Sequence, residues 1–404
     1  MSFACINLHL VITWVGRIGV RLAAAILLLF TVRRWLFLFV AGFTRPRPLP
    51  PPGEWPHLLI AIPFYNEATT LPACLEAIRQ LDYPKERCRI IWWDDGSTDG
   101  CGRVIQTACT LQNGWIYQRV ESNQGKAMAL NQLLFSSHSD YAQLLVVYDA
   151  DERPRPDALQ HLITPFTDTT IGATSGRRII GNGLDSLTAT YATYEATVHQ
   201  AITIRAKDRL NLQPPTLGSN CAYRLTALTN VGGFTPGAIL EDSDVTVRLA
   251  QASWATRYVP QAISTTLAPT TLRAYWHQHQ RWSAGFTDVA LTQSHSQVHH
   301  PRRAGGWVWW ENRLFSLGYL DRLATAVVTL AQVKGQRWDW LLAVSWLTPC
   351  VQVVVALWQE RVAAAYWLRL PILPIFYLLD AAAAISGIFH SLARIPRLAR
   401  PLQS

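Results

Sequence analysis

The chain has 404 residues, half of them hydrophobic and 16% charged, with a mean hydropathy of +0.09. A chain this apolar buries enough surface to offset its ordering entropy, which excludes disorder. Seven scattered cysteines, odd in number and without a C-x-x-C, exclude a secreted disulfide scaffold and suit a reducing compartment. The net charge of +9 is uneven: residues 1–53 hold six arginines and no acid, residues 302–404 eleven basic against five acidic groups, and the stretch between them nineteen against twenty-two. A slightly acidic body with basic ends argues against a nucleic-acid partner.

At the N-terminus, Val11–Val32 is apolar apart from Arg17 and Arg21, and Trp35–Phe43 extends it past Arg33 and Arg34. That length predicts one membrane crossing, since a helical span needs about 20 apolar residues. The long run and the lack of a small-x-small site argue against a cleaved signal peptide, and a buried soluble helix is the alternative to a crossing. Arg45–Pro56 is proline-rich and reads as a stiff, extended linker.

Beyond it, apolar strand-length runs at 57–65, 89–94, 115–120, 143–148 and 171–180 alternate with helical patterns at 71–81, 102–111, 125–135 and 156–166. This alternation predicts βαβ units, an α/β fold with a Rossmann-like, mostly parallel sheet and helices on both faces. Thr270–Ser294 reads as a long helix, and Arg302–Trp310, with its tryptophans among basic residues, as a bilayer-surface helix. Trp338–Trp358 is a span with tryptophans at both ends, and a second span lies within Pro371–His390, followed by Arg394, Arg397 and Arg400. Asp380 falls inside that span, where a carboxylate is either functional or paired towards the bundle. The basic flanks Arg33, Arg34, Arg45 and Arg47 and the basic C-terminal tail predict a cytoplasmic body.

In such sheets ligands bind at the carboxyl ends of the strands, and there the acids cluster. Tyr65-Asn66-Glu67 follows Pro63-Phe64, Asp94-Asp95-Gly96-Ser97 ends the second strand, and Asp149-Ala150-Asp151 the fourth. Carboxylates gathered at one edge repel one another unless a cation intervenes. Asp149 and Asp151 share a side of extended backbone, and hard oxygen ligands suit Mg²⁺ or Mn²⁺ shared with substrate phosphates. Ser97-Thr98-Asp99 reads as the cap of the next helix. Asp242 opens an amphipathic stretch and so sits at a helix N-terminus, where negative charge is stabilised. Gln278, Arg281 and Trp282 share one helix face by their i, i+3, i+4 spacing, whereas His277 and His279 read as surface residues.

Pro63–Glu67, Asp94–Ser97, Gly125-Lys126-Ala127, Asp149-Ala150-Asp151, Glu241-Asp242 and Gln278–Trp282 occur in the order seen in membrane-bound family 2 glycosyltransferases of the GT-A fold, which residues 58–290 resemble. The resemblance implies that Pro63, Tyr65, Glu67, Asp94, Asp95 and Lys126 bind the nucleotide, with Lys126 on the diphosphate. It makes Asp149 and Asp151 the metal pair and Asp242 the general base, and it places Gly218, Asn220, Glu241, Gln278, Arg281 and Trp282 around the acceptor and diphosphate. Cys221 beside them reads as a buried structural cysteine.

The implied division is a membrane anchor at 1–44, linker at 45–56, cytosolic GT-A domain at 57–295, interfacial helices at 296–337, two transmembrane helices at 338–390 and a basic cytosolic tail at 391–404. The implied activity is inverting transfer of a hexose from a UDP-sugar to a membrane-associated lipid, as in enzymes resembling ceramide glucosyltransferase. A processive synthase of a β-linked polysaccharide is the alternative, and a catalytically silent membrane scaffold a third reading. The sequence departs from the family in having Trp92-Trp93 where small β-branched residues precede the D-D-G.

Overall fold

The computed structural model describes residues 2–48, 54–296, 306–335 and 337–393. The centre of the proline-rich stretch, the first residues of the 302–310 segment and the arginines of the C-terminal tail lie outside the described residues. The chain opens on one long helix, α1 (Ser2–Phe43), and then alternates as expected. β1 (Leu58–Phe64), α2 (Leu71–Arg79), β2 (Cys88–Asp94), α3 (Cys101–Thr110), β3 (Trp115–Arg119), α4 (Lys126–Leu134) and β4 (Leu144–Val147) follow one another. Next come β5 (Arg153–Pro154), α5 (Ala158–Ile163), β6 (Ile171–Ile180), α6 (Leu187–Val198), α7 (Arg205–Arg209), β7 (Cys221–Arg224), α8 (Leu225–Asn230), α9 (Glu241–Gln251) and β8 (Ala255–Thr266). The remaining helices are α10 (Leu272–Ser296), α11 (Gly306–Ser316), α12 (Leu320–Val333), α13 (Asp339–Gln359), α14 (Ala364–Leu368) and α15 (Leu373–Leu392).

Among the described residues, the eight strands form one sheet in the order β3-β2-β1-β4-β7-β6-β8-β5. It is more mixed than the alternation predicts. β1–β2, β1–β4, β2–β3 and β6–β8 pair parallel, but β7 runs antiparallel to both β4 and β6, and β5 antiparallel to β8. The reason lies in the connection: the chain leaves β6 through α6 and α7 and re-enters the sheet at the same end, so β7 must run back antiparallel to β6.

Helices on both faces explain why the central strands read as continuous apolar runs rather than alternating ones. Leu58, Ile60 and Ile62 of β1 pack with Trp92 and Tyr148 on one face, and Leu59 and Ala61 pack with Trp93, Leu130 and Leu133 on the other. The two unusual tryptophans therefore go to opposite faces, as period-two alternation requires, and both are buried.

Among the described residues, three helical segments, Gly16–Phe43, Asp339–Gln359 and Leu370–Leu392, are long and apolar enough to cross a membrane, and α11 with α12 would make a fourth, bent by 62°. α1 packs through Ala23, Ala24 and Leu27 against Ala324, Val328 and Leu341. Arg33 and Arg34 are not free basic flanks. They pair with Glu311 and Asp321, because α1 runs on as helix to Phe43 and turns both arginines towards acids of α11 and α12 that would otherwise be buried unpaired. Asp380 is also paired: both Nε and Nη2 of Arg322 donate to its Oδ2, at 3.1 and 3.0 Å. The described part of the 302–310 segment opens α11, with Trp307 and Trp310 exposed and Glu311 and Asn312 buried.

α10 and α15 run side by side in the same direction. Tyr275 meets Phe376, Gln280 donates to Ser386 Oγ at 2.9 Å, Ser283 donates to the Ala384 carbonyl at 2.6 Å, and Ser391 bonds Asp288. A Cβ on Gly387 would overlap Ser283 Oγ and the Gln280 carbonyl, so glycine is what lets these helices approach.

Candidate active site

The loops after β1 and β2 are stitched together. Asn66, at φ +56°, accepts from the Thr98 N–H (2.8 Å) and donates its own N–H to Ser97 Oγ (3.0 Å). The N-cap of α3 is Gly100, at φ +86°, rather than one of Ser97-Thr98-Asp99; Asp99, one residue earlier, accepts from the Cys101 N–H at 3.1 Å. Tyr65 stands 44% exposed at the rim, and half-buried Pro63 lies behind it. Glu67 accepts from Thr70, and burial first, then Asp151 and Asp149, lift its carboxyl above its ordinary value against that hydrogen bond.

Asp94 and Asp95 are both buried and already engaged within the chain. Asp94 accepts from the Ser97 N–H and the Tyr117 hydroxyl, each at 2.7 Å, and from Arg119 at 3.4 Å. Asp95 accepts from the N–H groups of Gln124 and Gly125, at 3.0 and 2.8 Å. It thereby fixes the loop that starts α4 and sets the position of Lys126, the first residue of that helix.

Lys126 is the hub of the site. Its ammonium donates to Asp149 Oδ1 and to the Gly218 carbonyl (2.8 Å), and lies 3.6 Å from Glu241. Burial works against its charge, but Asp149, Glu241 and Asp242 outweigh burial and hold its pKa above the ordinary lysine range. The Asp149 N–H donates to Ser219 Oγ at 2.8 Å, which ties the end of β4 to the loop before β7. Asp151 accepts from the Thr266 hydroxyl through Oδ2 at 2.7 Å and has no bond at Oδ1 among the described residues.

Asp242 lies in the first turn of α9, as expected. The Ser243 N–H donates to its Oδ1 at 2.7 Å. Its carboxyl is pushed up to about 7 by burial and by the neighbouring Glu241, with the Ser243 N–H, Lys126 and Arg178 opposing. Gly218, at φ +75°, allows the close approach: a Cβ there would stand 3.2 Å from Asp242 Oδ2. Asn220 does not reach the acidic cluster. Fully buried at φ +49°, it donates to the Ala262 carbonyl at 2.9 Å and braces β6 against β8. Cys221 is buried, in keeping with a structural role.

The helix α10 carries Gln278 half-buried, Arg281 exposed and Trp282 half-buried. Among the described residues none of the three bonds the acidic cluster directly. The helix is nevertheless pressed against the segment before Asp242, because a Cβ on Gly285 would meet Leu240 and Ile239. His277 is exposed, but His279 is a correction to the surface reading. It is 2% exposed, 3.3 Å from Glu195 and edge-on to Trp282, because α15 covers that face of α10.

Sequence reasoning missed the back wall. Arg178 lies 3.7 Å from Asp149 and pairs with Glu152, and it also donates to the Leu217 carbonyl at 3.2 Å and to Thr266 Oγ1 at 3.3 Å. Glu152 is fully buried and also bonds Ser264. Locally the sequence offers only an arginine pair inside β6, ahead of Ile179-Ile180, and an acid directly after the D-x-D, and neither says that the two meet.

Residues 59–230 match the family model described as "Glycosyl transferase family 2". Several curated relatives align with the chain, among them the following two. "Probable glycosyltransferase YdaM" of Bacillus subtilis (strain 168) is 28% identical over 242 residues, 59% of this chain and 57% of its own. "Poly-beta-1,6-N-acetyl-D-glucosamine synthase" of Staphylococcus aureus is 30% identical over 232 residues, 56% of this chain and 54% of its own. The chain thus spans a little over half the length of these relatives. In structure, the chain is similar to a mannosyltransferase from Pyrobaculum calidifontis solved with GDP-Man and Mn²⁺. The TM-score is 0.62 at 18% identity, over 92% of this chain and 99% of that one, which places the fold as GT-A.

Proposed function

We propose, from the match of residues 59–230 to the family model described as "Glycosyl transferase family 2", that the chain moves a hexose, with inversion, from a UDP-sugar to a membrane-associated lipid, with Mg²⁺ or Mn²⁺ at the donor diphosphate. The observation that carries the reading is the juxtaposition at Lys126: one ammonium touches Asp149 and the Gly218 carbonyl and lies 3.6 Å from Glu241, beside the carboxyl of Asp242.

Asp149 and Asp151 fit a hard divalent cation, since Mg²⁺-type ions use one or two carboxylates and complete their shell with water and substrate phosphates. The free Oδ1 of Asp151 supports this assignment. When bound, such an ion neutralises charge that develops on the leaving diphosphate. Lys126 and Arg178 supply fixed positive charge for the same group. Both are held in place before substrate arrives, so little reorganisation accompanies the reaction. Asp242 takes the proton of the acceptor hydroxyl as its oxygen attacks the anomeric carbon. The bond from that carbon to the diphosphate breaks, and the nucleoside diphosphate leaves on the opposite side. Tyr65 and Glu67, at the carboxyl end of β1, are assigned to the nucleoside. Asp94 and Asp95 act through the loops they hold. Gln278, Arg281 and Trp282 are assigned to the acceptor side, next to the Asp242 segment that their helix supports.

Incubating membranes containing the full chain with labelled UDP-hexoses and Mg²⁺ or Mn²⁺ tests the proposal. Label passing into an organic extract supports it. Label retained as β-linked polymer would replace the lipid reading with the synthase reading, which the resemblance to the staphylococcal synthase favours. No metal-dependent turnover of any nucleotide sugar would leave only a silent scaffold.

A further inference from the structure

Three candidate spans converge at one place. The C-terminal ends of α1 and α13 and the approach to α15 surround a cavity of about 660 Å³ lined by Gly42, Arg205, Trp358, Arg361 and Trp367 among others. Phe43, Trp358 and Leu368 stand 79, 73 and 83% exposed near its rim. Tryptophans and apolar side chains at the ends of spans mark the level of the lipid headgroups.

The charge there is lopsided. Arg177 and Arg205 both pair with a single acid, Glu360. Arg361 is exposed and makes no side-chain bond among the described residues. Three guanidinium groups thus face one carboxylate, which leaves the site positive. Arg361 also sits at φ +51°, where glycine would be at ease and an arginine is strained. A second cavity, of about 200 Å³, shares Val362 with the first and is lined by Arg177 and Arg178. Arg178 is the residue 3.7 Å from Asp149. The two cavities thus meet at Val362, and Arg178 links the wall of the second to the acidic cluster.

The geometry points to this double cavity as the acceptor site for an anionic lipid: its phosphate lies against Arg361 and Arg205, and its hydroxyl-bearing headgroup reaches past Val362 towards Asp242. Charge complementarity selects the phosphate, since a guanidinium binds phosphate by paired, charge-assisted hydrogen bonds. The inference rests on the transferase reading and adds the class of acceptor. The chemical step is unchanged: the headgroup hydroxyl loses its proton to Asp242 and gains the sugar, while the phosphate on the lipid only anchors.

The test uses the full chain in nanodiscs and the variant Arg361→Gly. Glycine relieves the left-handed backbone while removing the guanidinium, so the fold should be kept. Binding of phosphatidylglycerol, phosphatidylcholine and diacylglycerol is compared by native mass spectrometry. Wild type should retain phosphatidylglycerol about tenfold over diacylglycerol, and Arg361→Gly should lose that preference, as expected for one charge-assisted contact. With labelled UDP-hexose and a total membrane-lipid extract, Arg361→Gly should also lower transfer about tenfold at limiting lipid, while donor hydrolysis without lipid stays the same. Equal retention of the three lipids, or a preference unchanged in Arg361→Gly, overturns the site. Loss of the preference with transfer unchanged makes it a fixed-lipid site and overturns the acceptor assignment. Absence of donor turnover in wild type would refute the transferase reading itself, and the lipid-binding arm reads out independently of it.

Discussion

Asp242→Asn separates chemistry from stability. As a base, Asp242 should account for about 10²- to 10⁴-fold in rate, which corresponds to about 3–5 kcal/mol of barrier. The substitution keeps the shape and leaves Lys126 on Asp149, so donor affinity should change little. The same residue is a burden on the fold. Its carboxyl rises from an ordinary value near 3.8 to about 7 because burial and Glu241 oppose its charge. The folded state therefore holds a proton that the unfolded state has released, and this group's contribution to stability falls as pH rises through that window. The ceiling is about 4 kcal/mol above pH 7, and solvent reaching the half-buried side chain reduces it to about 1–3 kcal/mol. The asparagine variant should melt higher than wild type at pH 8 and at nearly the same temperature at pH 4. Wild-type kcat/KM should climb through about pH 7. Thermal unfolding in detergent across pH, with donor binding and transfer measured on the same samples, reads all of this. A variant that melts no higher at pH 8, or that loses donor binding in step with transfer, would refute the assignment.

Asp151→Asn should raise the Mg²⁺ or Mn²⁺ concentration needed for half-maximal turnover about tenfold or more, since one of two hard ligands is lost; a metal titration with unchanged midpoint would remove Asp151 from the site. Lys126→Met leaves Asp149, Glu241 and Asp242 without their common cation, so the donor KM should rise and the pH for half-maximal activity should move upward. A pH profile identical to wild type would count against the hub role. Gly387→Val forces α10 and α15 apart where they touch through Ser283 and the Gln280 carbonyl, at a cost of about 1–3 kcal/mol. Melting temperature and transfer should then fall together, and an unchanged melting temperature would mean the close packing is dispensable.

Much of the candidate site was legible because its residues lie in short, ordered motifs at strand and helix ends, where local chemistry is written in consecutive letters. Asp149 and Asp151 follow a four-residue buried strand, and Asp242 lies in the first turn of its helix. The back wall was not legible. Arg178 and Glu152 meet only because β6 and the end of β4 lie near each other across β7, and no local pattern reports that neighbourhood. His279 looked exposed for the same reason: its covering helix, α15, comes about a hundred residues later.

Length, composition and charge spoke of an apolar protein with a basic excess, and the sequence by itself determined how both were divided: apolar basic ends and an acidic βαβ body with acids gathered at strand ends. Those properties follow from periodicity and local charge, which each segment carries alone. Only the tertiary structure decided where the charges are spent. Arg33, Arg34 and Arg322 neutralise Glu311, Asp321 and Asp380 between helices, whereas Arg177 and Arg205 share one glutamate beside an open cavity. Pairing of buried charges depends on which distant elements meet, and that is set by packing of the whole chain rather than by any stretch of it.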